Sequence, residues 1–215
     1  MNNNIVIAID GASASGKSTT SKAVARALGF LHVDTGAMFR TLAWYCLKKG
    51  IDVHDTKAVS AACAQWHATL DCVNHTVRLL VDGHSPGHEL RTAEVSAATP
   101  LVAAAPKVRE WMKQTQRNCL KFGSLVMEGR DIGAHIFPDA QLKFYLDASL
   151  TERARRRAAE GSREDIAARD QHDTRRTAAP LRIAHDAIVI DNSHLTPEQT
   201  TALVLEHVKK EMSLV

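Results

Sequence analysis

Short apolar runs alternate with longer amphipathic segments along this 215-residue chain. The runs are rich in β-branched and large apolar residues, which is typical of buried strands. The segments between them place apolar residues at helical spacing. This alternation predicts an α/β fold in which helices cover a parallel sheet. The predicted strands lie at 5–9, 31–33, 124–128, 142–146 and 187–190, and the clearest helices at 17–28, 37–47 and 197–212.

Two of these helices are bounded by residues with capping chemistry. Gly29 follows the first helix and can adopt the left-handed conformation that closes a helix. Thr196 precedes the last helix, where its hydroxyl can accept a hydrogen bond from a backbone N–H, and Pro197 takes the first helical position. The limits of both helices are therefore predicted from side-chain chemistry as well as from periodicity.

Two segments interrupt the alternation. Residues 51–90 predict a helix followed by a hairpin with the turn Asn74-His75. Residues 151–182 carry no strand pattern and predict helices. We therefore expect one domain with a core of residues 1–50, 91–150 and 183–215, a small insertion at 51–90 and a separate helical segment at 151–182.

The composition indicates a globular protein with one main core. With 45% hydrophobic residues, the chain can bury one core and carry a small appended lobe. No run of about 18 apolar residues occurs, and the initial MNNN lacks the basic stretch of a signal peptide. The four cysteines are scattered without C-x-x-C spacing, so we expect reduced thiols. These features predict a cytoplasmic protein.

Positive charge is concentrated in one part of the sequence. The formal net charge is only +3, which does not by itself indicate a nucleic-acid-binding protein. From Arg153 to Arg182, however, there are nine arginines, no lysine and five acidic residues. Guanidinium groups favour two-pronged contacts with phosphate or carboxylate. Some of these arginines are therefore candidates for binding phosphate, and about half are expected to form only ion pairs on a solvated helix.

The most specific motif is GASASGKS at residues 11–18, which matches the phosphate-binding pattern G-x-x-x-x-G-K-[ST]. It follows a predicted strand and precedes a predicted helix, so backbone N–H groups and the helix N-terminus can face phosphate oxygens. Lys17 can neutralise the β- and γ-phosphates, and the Ser18 hydroxyl can coordinate Mg²⁺. The residues expected to bind the phosphates of a nucleoside triphosphate are Gly11, Ala12, Ser13, Ala14, Ser15, Gly16, Lys17, Ser18 and Thr19.

Further arginines predict a second anion site beside this loop. Ligands of open parallel sheets bind beyond the carboxyl ends of the strands, so the motifs at these ends are expected to converge on one crevice. Arg40, Arg109 and Arg130 follow such ends or lie early in adjoining helices. Each arginine alone is better explained by a surface ion pair. Together they favour an acceptor that carries its own phosphate.

With these motifs the sequence resembles the bacterial cytidylate kinases, P-loop nucleoside monophosphate kinases that phosphorylate CMP and dCMP. The resemblance extends over nearly the whole chain. It implies a three-layer P-loop NTPase sandwich with a parallel central sheet, a helical lid and a helix-plus-hairpin insertion that binds the acceptor. The blocks are DGASASGKST at 10–19, DTGAMFR at 34–40, AAAPKVR at 103–109, EGRDIG at 128–133, FPDA at 137–140, LDASLTERARRR at 146–157, RDQHDTRRTAAPL at 169–181 and AIVIDN at 187–192.

The resemblance implies roles for individual residues in binding CMP. A hydroxyl and three guanidinium groups would contact the acceptor phosphate, and a further pair would hold the ribose and base. The phosphate contacts would be Thr35, Arg40, Arg130 and Arg169, and the ribose and base contacts Asp173 and Arg176.

Arg109 and Asp131 would read the edge of the cytosine. Cytosine presents an amino donor at N4 beside acceptors at N3 and O2. A carboxylate only accepts hydrogen bonds and a guanidinium only donates them, so the pair complements cytosine. Uracil would place its O4 acceptor against the carboxylate, and such a buried mismatch strongly disfavours a substrate.

Some positions are open to another interpretation or depart from the family pattern. Asp131 also fits a helix N-cap or a partner for Arg130. Pro100 stands where many family members carry a serine that contacts the base, with Thr99 as the neighbouring hydroxyl. Phe39 replaces a frequent tyrosine.

The predicted reaction is in-line transfer of the γ-phosphoryl group of MgATP to the 5′-phosphate of CMP or dCMP. The acceptor phosphate has a second pKa of about 6 and is largely ionised at neutral pH, so no strong general base is needed. We expect ATP and CMP or dCMP as substrates, Mg²⁺ as cofactor, neither a nucleic-acid nor a membrane partner, and a monomer. The expected catalytic residues are Lys17, Arg130 and Arg157, and the lid residues over ATP are Arg153, Arg156 and Arg157, with their division between phosphate and adenine left open.

Three alternatives remain at the level of sequence. Another kinase of this architecture would act on a different nucleotide or on a metabolite such as shikimate. A nucleotide-dependent switch would bind without transfer, although the N-K-x-D motif of GTPases is absent. An RNA-binding protein would use the arginine segment, which contains no aromatic residue for base stacking.

Overall fold

The computed structural model describes residues 4–160, 166–175 and 181–212, without the side chains of residues 172, 173 and 175. The strands are β1 Val6–Gly11, β2 Leu31–Asp34, β3 Ala68–Val73, β4 Thr76–Val81, β5 Leu125–Gly129, β6 Leu142–Asp147 and β7 Ile188–Asp191. The helices are α1 Lys17–Leu28, α2 Thr35–Lys48, α3 Thr56–Gln65, α4 Ala93–Ala104, α5 Pro106–Arg117, α6 Leu150–Ala159, α7 Ile166–Arg175 and α8 Pro197–Met212.

The strands form a seven-stranded, mostly parallel sheet in the order β3-β4-β2-β5-β1-β6-β7. This confirms the predicted α/β fold. Every predicted strand is present, with ends that differ from the prediction by at most two residues. None of the helices in the described ranges is long and apolar enough to cross a membrane.

The chain divides into two compact units, residues 1–32 with 123–215 and residues 33–122. In the first unit, β1 lies between β5 and β6 and runs parallel to both, and β7 runs parallel to β6. Apolar side chains of these strands pack against α1 and α8, and this contact forms the core of the unit. Its buried members include Ile7, Ile9, Val24, Phe144 and Val204.

The parallel register brings the carboxyl ends of four strands in this unit to one edge. Asp10 pairs with Gly129, Gly11 with Leu146, and Asp147 with Asp191. The segments that leave this edge are the phosphate loop, the turn after β5, helix α6 and the turn after β7. The sheet therefore explains why residues far apart in sequence meet around residues 11–18.

The predicted helix caps in this unit are confirmed. Gly29 closes α1 in the left-handed conformation, at φ 68°, and its N–H donates to the carbonyls of Ala25 and Arg26. The Thr196 hydroxyl accepts a hydrogen bond from Gln199 N at 3.2 Å, and the Gln199 side chain accepts one from Thr196 N at 2.9 Å. This reciprocal pair is a capping box at the start of α8.

The second unit contains the predicted helix and hairpin. Helix α3 is followed by the antiparallel pair β3 and β4. Both turn residues, Asn74 and His75, have positive φ angles, at 50° and 57°, as a two-residue hairpin turn requires. The predicted insertion at 51–90 lies within this unit, whose limits are wider, and its separate role in binding the acceptor stays a prediction.

Helix α4 is an element that the sequence analysis did not identify. Its interior contains Pro100, which cannot donate a backbone hydrogen bond and normally interrupts a helix. The Thr92 hydroxyl caps its start by accepting a hydrogen bond from Val95 N. The helix buries the apolar side chains of Val95, Ala98, Val102 and Ala103. Packing therefore outweighs the cost of the proline.

Candidate functional site

The loop after β1 has the backbone form that phosphate binding needs. A Cβ atom at Gly11 would collide with the carbonyl oxygen of Leu146 on the neighbouring strand, so a side chain at this position is not tolerated. Gly16 immediately precedes α1 with a φ of 89°, in the left-handed region that favours glycine. These two glycines allow the chain to turn from strand to helix. Backbone N–H groups in such a turn are available to bind an anion.

Lys17 and Ser18 begin α1 at the end of this loop. The Lys17 Nζ donates to the carbonyl oxygen of Ala12 at 2.6 Å, so the ammonium group lies across the loop. Ser18 is an exposed residue, and its hydroxyl donates to Glu128 Oε2 at 2.6 Å. The sequence analysis did not assign a role to Glu128, whose partner is 110 residues away in the chain.

Buried polar residues continue from Glu128 beneath the loop. His32 Nε2 lies 3.0 Å from Glu128 Oε1 and 3.2 Å from the Ser21 hydroxyl. Both His32 and Glu128 are only 3% exposed. The sequence analysis missed His32 because a histidine within a strand pattern carries no local sign of such a partner.

Two of the predicted lid arginines in α6 contact the phosphate loop. Arg157 Nη2 donates to the Ser13 hydroxyl at 2.8 Å, and Arg153 Nη1 donates to the Ser13 carbonyl oxygen at 3.3 Å. Arg153 also pairs with Asp170 of α7 at 2.6 Å. Spacing of four residues places both guanidinium groups on the same face of α6, toward the loop.

Arg156, the third predicted lid arginine, lies against a residue that the sequence analysis did not single out. Its guanidinium donates to the side-chain and backbone oxygens of Asn192, at 3.1 and 2.8 Å. The buried Asn192 amide in turn donates to the Ser15 carbonyl oxygen at 2.8 Å. Asn192 thus links α6 to the phosphate loop from a position 177 residues beyond Ser15.

Asp10, the next-to-last residue of β1, holds the turn after β5. Its two carboxylate oxygens accept hydrogen bonds from Ile132 N at 2.9 Å and Gly133 N at 2.8 Å. Burial raises the pKa of this carboxyl to about 7, although the two N–H groups oppose the shift. The neighbouring negative charge of Asp131 adds to the increase.

The predicted residues Arg130 and Asp131 lie at this turn. Arg130 Nη1 donates to the Gly11 carbonyl oxygen at 2.6 Å, so the guanidinium contacts the start of the phosphate loop. Asp131 is 6% exposed, and its side chain makes no capping hydrogen bond to the short π-type turn Ile132–Ile136. The alternative of an N-cap role for Asp131 therefore does not hold.

Three further predicted acceptor residues, Thr35, Arg40 and Arg109, belong to the second unit. Asp34 caps α2 by accepting a hydrogen bond from Ala37 N, and its second oxygen pairs with Arg40 Nη2 at 2.8 Å. Thr35 is the buried first residue of α2. The Arg109 guanidinium lies 5.4 Å from the centre of the Phe39 ring, at cation–π distance. Phe39, the departure from the family's tyrosine, therefore supports Arg109 through its ring.

Thr99 is not free to replace the serine that the family pattern places at Pro100. It is buried, and its hydroxyl donates to the Val95 carbonyl oxygen at 2.6 Å, one helical turn earlier. A hydroxyl committed to the backbone of its own helix is a poor candidate for a base contact.

The remaining predicted residues lie in or beyond α7. Arg169 is half-buried in this helix. The backbone of Asp173 is also part of α7, whereas its side chain and the whole of Arg176 lie outside the described residues. Their roles in holding the ribose and base stay predictions.

One family model and several known proteins are similar to this chain over most of its length. A family model described as "Cytidylate kinase" matches residues 7–210. The cytidylate kinase of Geobacillus sp. (strain WCH70) is 39% identical over 223 residues, which cover 99% of this chain and 100% of the relative. That of Geobacillus kaustophilus (strain HTA426) is 40% identical with the same coverage, and that of Desulfitobacterium hafniense (strain Y51) is 40% identical over 95% of this chain and 93% of the relative. This chain, with its phosphate loop intact and its match nearly end to end, belongs to the cytidylate kinase family.

Proposed function

We propose that this chain transfers the γ-phosphoryl group of ATP to CMP or dCMP, giving ADP and CDP or dCDP. The observation that carries the proposal is the match to the cytidylate kinase family over residues 7–210. The structure supports it with a phosphate loop that three arginines contact. These are Arg130 after β5 and Arg153 and Arg157 of α6.

The donor phosphates would be bound by the backbone N–H groups of the loop and by Lys17. The Lys17 ammonium group donates to the carbonyl oxygen of Ala12 and therefore lies over the loop. Arg153 and Arg157 contact Ser13 and need only exchange these partners for phosphate oxygens. Positive charge around the transferred group stabilises the charge that develops on its equatorial oxygens.

The residues beside Lys17 fit the Mg²⁺ ion that accompanies ATP. Mg²⁺ prefers oxygen ligands. Ser18 offers a hydroxyl oxygen whose hydrogen is donated in a hydrogen bond to Glu128. Ser18 would hold the ion directly and Glu128 would hold Ser18. When bound, Mg²⁺ neutralises charge on the β- and γ-phosphates.

The acceptor would be held by one hydroxyl group, several guanidinium groups and two carboxylates. We propose that Thr35, Arg40, Arg130 and Arg169 bind the phosphate, with Asp173 and Arg176 on the ribose and base. Arg109 would donate to the acceptor atoms of cytosine and Asp131 would accept from its amino group. Because both side chains are buried, the mismatch with uracil would leave polar groups without partners and disfavour UMP.

No general base is required for this reaction. The acceptor phosphate is largely ionised at neutral pH, so it can attack without losing a proton to the protein. Catalysis then consists of holding two anions in line and neutralising the charge that spreads over the transferred group. Lys17, Arg130 and Arg157 are the proposed catalytic residues.

The direct test is a coupled ADP-release assay with ATP and a panel of acceptors. We expect CMP and dCMP to be phosphorylated much faster than UMP, AMP or shikimate. Preference for another acceptor would replace the proposed substrate, and ATP binding without transfer to any of them would favour a nucleotide-dependent switch.

A substitution in the phosphate loop tests the proposed role of Lys17 in binding ATP. Lys17→Ala should reduce kcat by about 100-fold or more, because the cation that neutralises the transferred phosphoryl group is lost. Lys22→Ala is the matched control, since Lys22 is exposed on the same helix and should leave kcat unchanged. Equal rates for both variants would contradict the assignment of Lys17.

A further inference from the structure

A polar cluster lies beneath the phosphate loop, and within it His32 contacts Ser21 and Glu128. The cluster consists of Ser18, Ser21, His32 and Glu128, all in the first unit. Ser21, His32 and Glu128 are almost completely buried, so any polar atom there without a partner is costly. The arrangement of hydrogens within the cluster is therefore strongly constrained.

Geometry selects one tautomer of His32. Nε2 faces Glu128 Oε1 at 3.0 Å, and a carboxylate can only accept, so this nitrogen carries the hydrogen. The Ser21 hydroxyl is 3.2 Å from the same nitrogen and can share the hydrogen as a second acceptor, because its own hydrogen has the Ser18 carbonyl oxygen as a partner. Nδ1 has no hydrogen-bond partner among the described residues, which suits a bare lone pair better than a buried N–H.

This arrangement determines how Ser18 is presented. His32 occupies Oε1 of Glu128, and Oε2 accepts the Ser18 hydroxyl hydrogen at 2.6 Å. A hydroxyl whose hydrogen points into the protein directs its lone pairs away from it, as a metal ligand must. The orientation of Ser18 thus depends on that of Glu128, which in turn depends on His32.

We propose that His32 is a positioning residue for the magnesium-bound nucleotide, because its Nε2–H holds Glu128 in the orientation that makes Ser18 a metal ligand. The inference rests on the proposed function for its choice of nucleotide and ion. It does not depend on which acceptor is phosphorylated.

Two variants that differ by one methylene group test this role. In His32→Gln the terminal amide nitrogen reaches about as far as the imidazole Nε2, whereas in His32→Asn the amide is too short to reach Glu128. The measurement is calorimetric binding of a non-hydrolysable ATP analogue to the full chain, once with saturating Mg²⁺ and once with EDTA. The ratio of the two affinities isolates the contribution of the ion.

We expect His32→Asn to reduce this ratio by about 10-fold, the lower end of the effect of losing a residue that orients a metal ligand. The affinity in EDTA should stay within about twofold, because the phosphate loop is intact, and His32→Gln should restore most of the ratio. The Mg²⁺ concentration for half-maximal kinase activity should rise in His32→Asn in parallel. His207→Asn is the control for removal of a histidine from this unit. His207 lies in α8, where its ring contacts that of Phe144 and not the polar cluster.

Three results would overturn the inference. One is an unchanged affinity ratio in a His32→Asn variant that is less stable, since this would show a purely structural role. Another is failure of His32→Gln to restore the ratio when it folds like the parent chain. The third is equal affinity of the parent chain with Mg²⁺ and with EDTA. If CMP is not phosphorylated but the ratio still falls in His32→Asn, the proposed function fails and this inference stands.

Discussion

Asp10 shows how strongly one residue depends on its surroundings. Only 4% of it is exposed, so ionisation of its carboxyl group in the folded chain lacks the hydration available in the unfolded chain. Its pKa is raised to about 7, chiefly by burial and to a lesser extent by the charge of Asp131, although the hydrogen bonds from Gly133 and Ile132 and the charge of Lys17 oppose the increase.

This pKa predicts how stability varies with pH. Because the folded-state pKa is raised above the unfolded one, the folded chain binds the proton more tightly, and the contribution of Asp10 to stability is lost as the pH rises toward and through 7. Urea unfolding should show the parent chain losing about 2 kcal/mol relative to Asp10→Asn between pH 5 and pH 8. The comparison with Asp10→Asn removes the effects of other groups, and identical pH dependence of the two chains would refute the raised pKa.

At the residue scale, the sequence predicted the functional residues whose partners lie close by in the chain. The two loop glycines, Lys17 and Ser18 lie within eight positions, so their spacing alone specifies their arrangement. Glu128, His32 and Asn192 act on the same loop through partners that are distant in sequence. No spacing rule connects such residues, and only the parallel register of the strands brings them together.

At the scale of elements, the hairpin turn in the second unit holds two residues other than glycine in the left-handed region. Asn74 and His75 both have positive φ angles. Asparagine tolerates the left-handed region through its short polar side chain, whereas histidine adopts it less readily than glycine. The turn is therefore formed at some conformational cost at His75.

Replacement of His75 with glycine should relieve this cost. We expect His75→Gly to raise the free energy of unfolding by about 0.5–1 kcal/mol, because glycine adopts positive φ without a Cβ clash. Asn74→Gly is the matched control in the same turn and should give a smaller gain. Urea unfolding followed by tryptophan fluorescence reports on the unit that contains this hairpin, since Trp44, Trp66 and Trp111 all lie in the second unit. A larger gain at Asn74 than at His75 would contradict this account.

Elements were predicted well where periodicity and caps agree, and less well where they conflict. Helix α8 has both, and its limits match the prediction. Helix α4 was missed because Pro100 is a local signal against a helix, and the burial that favours the helix depends on neighbours elsewhere in the chain.

At the scale of the whole molecule, the proposed donor and acceptor residues differ in how they are distributed. All of the proposed ATP-binding residues belong to the first unit, whereas Thr35, Arg40 and Arg109 belong to the second. Donor and acceptor binding should therefore be separable by substitution. The monomeric state and the cytoplasmic location expected from the sequence stay predictions.

Arg40 provides the test of this separation. Arg40→Ala should raise the KM for CMP by about 10- to 100-fold, because a charge-assisted hydrogen bond to the acceptor phosphate is lost. The KM for ATP should change by less than about twofold, since the phosphate loop is untouched. Initial rates with each substrate varied in turn provide both constants.

Arg78→Ala is the matched control for this variant. Arg78 also belongs to the second unit and also pairs with a single carboxylate, that of Asp71 at 3.3 Å. Its loss should leave both constants unchanged. A similar rise in the KM for ATP as for CMP in Arg40→Ala would show that Arg40 does not act on the acceptor alone.

The sequence by itself determined the alternation of strands and helices, the phosphate loop and the concentration of arginines before β7, because these depend on periodicity and on residues close together in the chain. Only the tertiary structure decided which of these arginines reach the loop, which carboxylate takes the Ser18 hydrogen and why Asp10 resists ionisation. Each of these depends on burial and on contacts between distant segments, and both exist only once the strands have paired in parallel and excluded water.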